Sequence, residues 1–530
     1  MPPMLTRAAT LILTAGLSFA VFHVSPAQAQ ATLPTDFTDQ LIRGSLNLPT
    51  GLAFVPDAGV NAGRRLFYVE QGGVVRLLVD GAPGVVDPSG TVANTVTAGG
   101  ERGLLGLAVD PRWPTKPYVY FHQSSLLNTI RIVRYTCMGD LAFTNNGALT
   151  VNPATRYELI SDAPDVSYKH SGGTLRFAPD STLFVSLGDD GNSCSAQDTT
   201  TLSGVILRLE VRNLPDGAGG PPARALLVPA GNPFPNHPSS NARLVWAMGF
   251  RNPWRFHVDA GASLPTGRLL VGDVGEESRE EIDVIGKANN AGWPMFEGNI
   301  TFTTCSQAVD SGFTTPIYTY DHSLSGGLSV LTLGIYRRAG LGAGKFPIEY
   351  EGDALFSDYF SGWIRRLNWN GSSWVAESAP GQPSATNWAT NALQISDALI
   401  APDGAIWYVK QGINYAANTG QVRVIRYTGT LDVPGGSAAT IDFAPAQPNP
   451  ARGSTHFAFT LGAVARAELT VLDLSGRSVR TLVRDALPAG PHDAVWDGRD
   501  DTGTPLSAGL YFARLRVGDA SRTQRVVLAR

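Results

Sequence analysis

The chain has 530 residues, with 41 Lys and Arg against 45 Asp and Glu, a formal net charge of −4. That balance excludes the clustered cationic footprint that nucleic-acid binding requires. Charged residues reach only 16%, while 58 Gly and 36 Pro predict many turns, few long helices and about two to four domains.

In chain order, the first element is an address. Arg7 precedes an apolar run from Leu11 to Val24, and Ala27 and Ala29 form a small-x-small cleavage pattern. Residues 1–29 therefore read as a signal peptide. The run is too short for a comfortable membrane span, and no later stretch resembles one. The mature protein is expected to be exported: secreted, periplasmic or at the cell surface.

From residue 36 onward one phrase recurs: an apolar strand, a Pro-Asp or Asp-Gly turn, a second apolar strand, then Gly and a third strand. The copies begin at Gly51, Gly103, Gly173, Phe250, Leu333 and Ser396. In the third, Gly173–Asp180 is followed by Leu183–Leu187 and Gly204–Leu209. Short strands recurring in this way predict an all-β fold, a six-bladed β-propeller over residues 36–430, whose rim carries the long insertions. A two-sheet sandwich of the same strands is the rival arrangement. Residues 431–444 read as a small-residue linker, and 445–530 as a small Ig-like β-sandwich of alternating strands.

Three cysteines, Cys137, Cys194 and Cys305, allow at most one bridge, and which two would join is open. No CxxC and no zinc-type His pair occurs. Gly-x-Ser-x-Gly, Gly-x-Gly-x-x-Gly and Gly-Lys-Ser/Thr motifs are absent, which excludes the hydrolase, Rossmann and P-loop signatures. Among the histidines, His170 stands out, in Tyr168-Lys-His-Ser-Gly-Gly-Thr174. If the two strands that follow form a hairpin, their outer ends bring His170 beside Asp189, as a general base with its orienting carboxylate. Arg251-Asn252 pairs a planar cation with an amide, suited to a carboxylate or a quinone oxygen. The loop Gly272-Asp-Val-Gly-Glu-Glu-Ser278 offers oxygens of the kind Ca²⁺ takes.

Taken together, Gly100–Leu107, His170–Gly173, Ser186–Asp189, Gly249–Pro253, Gly272–Gly275 and Asn290–Pro294 resemble the soluble quinoprotein sugar dehydrogenases. This is the glucose/sorbosone dehydrogenase family, which uses pyrroloquinoline quinone (PQQ). The resemblance implies that His170 is the base, held by Asp189, with hydride passing from the anomeric carbon of an aldose to PQQ, which Arg251 polarises. It further implies that Glu101, Arg251 and Asn252 contact the quinone, that Arg337 contacts the cofactor's carboxylates, and that the carbonyls of Gly275 and Glu276 hold Ca²⁺. Gln394 and Ser396 stand where relatives that oxidise glucose carry arginines. The tail, through Pro448-Asn-Pro450, Val471–Arg477 and Trp496–Tyr511, resembles Ig-like domains of flagellar hook-capping proteins and type IX secretion sorting domains.

The expected function is PQQ- and calcium-dependent oxidation of a sugar, with an external electron acceptor and with secretion or surface machinery as a partner of the tail. The alternatives are a non-enzymatic surface propeller binding carbohydrate or protein, like Hedgehog-interacting proteins, and a Ca²⁺-dependent lactonase. The residues His170, Arg251, Arg337 and Glu101 are expected to line one central cleft.

Overall fold

A computed structural model describes residues 30–56, 65–96, 100–259, 268–303, 305, 312–322, 328–338, 345–370, 373–429, 442–462, 465–474, 476–487, 490–517 and 520–529. The expected signal peptide and most of the expected linker lie outside these residues. The fold is all-β, as expected, with only short 3₁₀ turns besides strands among the described residues.

Among the described residues up to 427 the strands form six antiparallel sheets, each running outward from an inner strand, and one small hairpin, Phe296–Glu297 with Ile300–Thr301. The inner strands are Pro49–Phe54, Leu104–Val109, Leu175–Phe177, Pro253–Asp259, Val330–Ile335 and Ile395–Ile400. The second strands are Arg65–Glu70, Tyr118–Ser124, Leu183–Leu187, Arg268–Asp273, Ala354–Asp358 and Ile406–Lys410. Each inner strand neighbours the next, and the sixth neighbours the first. The cores repeat that order. Phe67 and Phe121 share a core between sheets one and two, Leu175 and Tyr120 between two and three, and Phe184 and Phe256 between three and four. Leu270 and Phe356, Leu355 and Tyr408, and Leu52 and Val409 continue the series around to the start. Because both faces of a sheet are covered, its strands are continuously apolar rather than alternating.

The outer strand of the sixth sheet comes from the N-terminus: Phe37–Leu46 pairs antiparallel with Gly420–Tyr427. Buried Asp39 accepts hydrogen bonds from Arg423 Nε at 3.0 Å and Tyr408 at 2.9 Å, so the last sheet joins the first strand of the ring to its last.

The tail forms a three-stranded sheet, Asp442–Phe443, Thr455–Leu461 and Gly490–Trp496, and a four-stranded one, Ser478–Leu487, Ala465–Leu472, Gly509–Val517 and Ala520–Leu528. Thr455–Leu461 alternates buried and exposed residues, and Phe457, Leu469, Trp496 and Leu515 meet in one core. Cys194 and Cys305 form a disulfide, and Cys137 is buried and free. Among the described residues no helix is long and apolar enough to cross a membrane.

Candidate active site

One end of the ring holds a cavity of about 340 Å³, within the range of small-molecule sites. Its walls follow from topology. In an antiparallel sheet the segment before the first strand and the segment after the second emerge at the same end. Thr50, Glu101, His170, Arg251 and Ser329 enter or begin inner strands, while Gln71, Glu276, Tyr359 and Gln411 follow second strands.

The hairpin Leu175–Phe177/Leu183–Leu187 forms, and its ends meet as expected: His170 Nδ1 lies 2.6 Å from Asp189 Oδ1. A carboxylate acceptor there makes Nδ1 the donor and leaves Nε2 to accept a proton. His170 is 5% and Asp189 1% exposed, so the pair is shielded from water. Gly188 lets the chain pass this closely, since a Cβ there would collide with the His170 carbonyl. Glu101 Oε2 accepts the His170 backbone N–H at 2.5 Å and Asn252 Nδ2 at 3.5 Å. The Asn252 side-chain oxygen in turn accepts the Gly172 N–H at 3.0 Å.

Arg251 Nε donates to Glu276 Oε2 at 2.6 Å, Nη2 bonds the same oxygen, and Nη1 reaches the Val274 carbonyl at 2.9 Å. Beneath them Asp273 accepts the backbone N–H groups of Arg251 and Asn252 at 2.9 and 2.7 Å. Burial pushes Asp273 up to about 7 against the pull of those amides. His322 also lines the cavity and lies 2.7 Å from Glu280, whose hydrogen bond raises the imidazole's pKa.

Glu297 organises the metal-type loop. Its Oε1 accepts the backbone N–H groups of Glu276, Glu277, Ser278 and Arg279 at 2.7, 2.8, 2.9 and 3.1 Å. Burial would raise this carboxyl, but the four donors hold it below its ordinary value. In a trans peptide the carbonyl opposes the N–H. With the amides of residues 276 and 277 aimed at Glu297, the Gly275 and Glu276 carbonyls point away from it, on residues that line the cavity. Two such carbonyls are hard donors that suit Ca²⁺, which takes its remaining oxygens from water or ligand. Among the described residues no cluster of three or more acidic, His or Cys side chains is arranged to hold a metal.

Six of the expected site residues, His170, Glu101, Arg251, Asn252, Gly275 and Glu276, line the cavity, and Asp189 stands directly behind His170. Arg337 is a correction. It follows Val330–Ile335 at the far end of the fifth sheet, roughly 20 Å of extended strand from the cavity. There its Nε and Nη2 bind Asp259 at 2.9 and 2.7 Å, so it is not a cleft residue. Gln394 and Ser396 do not line the cavity either; Ser396 Oγ bonds the Pro49 carbonyl at 2.7 Å.

Sequence reasoning missed Gln71, Gln411 and Tyr359. Gln411 Nε2 donates to Gln71 Oε1 at 3.0 Å and Tyr359 to Gln411 Oε1 at 2.9 Å, which builds a neutral wall. It also missed Glu297 and the buried Arg255. The available signal was positional, since each of the first three directly follows a second strand or lies one residue beyond it.

The model of the glucose/sorbosone dehydrogenase family matches residues 46–414. The chain belongs to this family. The FlgD Ig-like domain model matches residues 447–520. The HIPL2 protein of Arabidopsis thaliana is 34% identical over 29% of this chain and 23% of its own length. Quinoprotein glucose dehydrogenase B of Acinetobacter calcoaceticus is 26% identical over 53% of this chain and 57% of its own. The chain thus spans about a quarter to somewhat over half the length of these relatives. A PQQ-bound aldose sugar dehydrogenase from Streptomyces coelicolor superposes with a TM-score of 0.53 at 21% identity, covering 74% of this chain and 99% of that one. At that identity the likeness is one of fold. Family membership supports a sugar oxidoreductase.

Arg251 and Asn252, a cation and an amide on the cavity wall, and the Gly275 and Glu276 carbonyls are of the types that could hold a quinone oxygen and Ca²⁺. Ser171 Oγ, buried beside them, has no protein partner. Gln71, Gln411, Tyr359, Phe360 and Tyr415 make part of the lining Gln-rich and aromatic; among the described residues no Lys lines the cavity, and Arg251 and Arg255 are both engaged within the protein.

Proposed function

We propose that the chain oxidises an aldose-type sugar at the anomeric carbon, using PQQ and Ca²⁺, outside the cytoplasm. The observation that carries this reading is the His170–Asp189 pair, 2.6 Å apart, beside a cavity of about 340 Å³. His170 Nε2 takes the proton of the anomeric hydroxyl, and the Asp189 carboxylate stabilises the imidazolium that forms. Glu101 and Asn252 fix the His170 backbone and the adjoining Gly172 turn, which aims the ring. When bound, PQQ supplies the hydride acceptor for the anomeric carbon. Arg251 and Asn252 would hold its quinone edge, and the Gly275 and Glu276 carbonyls the Ca²⁺.

The ring of six sheets supports the reading of a six-bladed β-propeller, and the two tail sheets that of an Ig-like sandwich. Export is supported by the Arg7–Ala29 pattern and by a disulfide, which persists in oxidising compartments. An external electron acceptor completes the turnover, and the tail serves sorting or surface attachment.

The test is reconstitution of the full chain with PQQ and Ca²⁺, followed by dye reduction with a panel of aldoses. His170→Ala is expected to lower kcat/KM by about 10²- to 10⁴-fold. With no Lys among the described lining residues, chelation of Ca²⁺ is expected to weaken PQQ binding at least about tenfold. The neutral, aromatic wall favours a second reading, a surface propeller that binds carbohydrate or protein without redox chemistry. No dye reduction across the panel, with no PQQ retained, would select that one.

A further inference from the structure

Asp189 is held by more than His170. Its Oδ1 accepts from the Gly191 N–H at 2.7 Å as well as from His170, and its Oδ2 accepts the indole Nε1–H of Trp293 at 2.9 Å. A carboxylate bonded through one oxygen turns freely about its last torsion; one bonded through both is fixed in plane. We propose that Trp293 is a positioning residue for the His170–Asp189 pair, and that the Cys194–Cys305 disulfide holds Trp293 in place. The proposal rests on the functional reading of that pair above.

Trp293 is 3% exposed and fixed on every side. Its backbone N–H donates to the Gly249 carbonyl at 2.9 Å, and its carbonyl accepts Gln197 Nε2 at 2.6 Å. Gln197 also exchanges hydrogen bonds with Asn290, at 3.0 and 2.7 Å. The indole stacks on Phe302, centroids 5.1 Å apart, and the Arg251 guanidinium lies 5.8 Å from its ring centre. The two segments that clamp it carry the cysteines. Cys194 sits in the turn Ser193–Gln197, five residues past Asp189, and Cys305 lies three residues past Phe302. The bridge therefore ties the support of the carboxylate to the support of the indole. Without it, the segment carrying Phe302 is tethered only by noncovalent contacts.

The test uses the full chain without cofactor, with ¹⁵N-labelled histidine and His170 assigned by its loss in His170→Gln. In the wild type the neutral ring is expected as the Nδ1–H tautomer with a slowly exchanging proton. Trp293→Phe keeps the stacked ring and deletes the N–H. It is expected to speed Nδ1–H exchange about tenfold and to populate the Nε2–H tautomer. The Cys194→Ser/Cys305→Ser variant is expected to shift both in the same direction, and it provides a second test should Trp293→Phe fail to fold. Unchanged exchange and tautomer in a folded variant would overturn the proposal. This readout needs neither sugar nor quinone, so it succeeds or fails separately from the oxidoreductase reading.

Discussion

His170 holds a left-handed backbone, φ 54°, which residues other than glycine uncommonly adopt, at the point where its imidazole meets Asp189. That conformation persists because Glu101 binds its N–H and Asp189 its ring. Arg337 shows the opposite case, a cation of the right type at the wrong end of a strand. Arg337→Ala is expected to leave sugar and PQQ binding unchanged while costing about 1 kcal/mol of stability through the lost Asp259 pair; titration calorimetry and thermal melts of one preparation check both. His122, fully buried, carries a pH prediction. Burial, with help from the Arg255 charge, lowers its pKa from 6.5 to about 3. Between those values the unfolded chain binds a proton that the folded chain does not, so stability falls as pH drops through that window. His257, lowered to about 3 chiefly by burial, steepens the same fall. In urea titrations from pH 7 to 4, His122→Leu is expected to flatten the decline; an equally steep decline would contradict the assignment.

At the scale of elements, the inner strands meet around one buried cation. Arg255 is 1% exposed and donates to the carbonyls of Ser396 at 2.6 Å, Thr50 at 2.7 Å, Trp254 at 2.9 Å and Leu105 at 3.0 Å. Those acceptors belong to, or immediately adjoin, the inner strands of sheets six, one, four and two, so one side chain joins four sheets. Burial lowers its pKa to about 10, which leaves it charged at neutral pH. Arg255→Met is expected to cost about 3 kcal/mol or more, read as a lower urea midpoint, because it strands buried carbonyls. Most strands were legible in the sequence from their apolar runs, and the hairpin after His170 was legible from its turn. The fifth copy was read too late: its inner strand, Val330–Ile335, begins before Leu333. Its burial is nearly continuous, so no alternation marked where it began; the family resemblance, not the strand pattern, placed Arg337 at the cofactor.

At the scale of the whole molecule, closure rests on Phe37–Leu46, which comes from roughly 400 residues before the strand it joins, Gly420–Tyr427. Removing residues 1–47 is expected to expose the edge at Gly420–Tyr427 and abolish cooperative unfolding, whereas removing 445–530 is expected to leave the cavity's ligand binding intact. Calorimetry and ligand titration of the two truncations test this. By itself the sequence determined the all-β class and the order of the repeats, because strand periodicity and turn chemistry are local properties; the His170–Asp189 spacing marked that pair as candidates, while the roles expected of Glu101, Arg251, Asn252, Gly275 and Glu276 came from the family resemblance. Only the tertiary structure decided that Cys194 joins Cys305, that Glu297 shapes the Gly275–Glu276 loop, that Trp293 bonds Asp189, and that Gln71, Gln411 and Tyr359 line the cavity while Arg337 does not. Those residues are of ordinary types, and their roles arise where strand ends far apart in sequence converge.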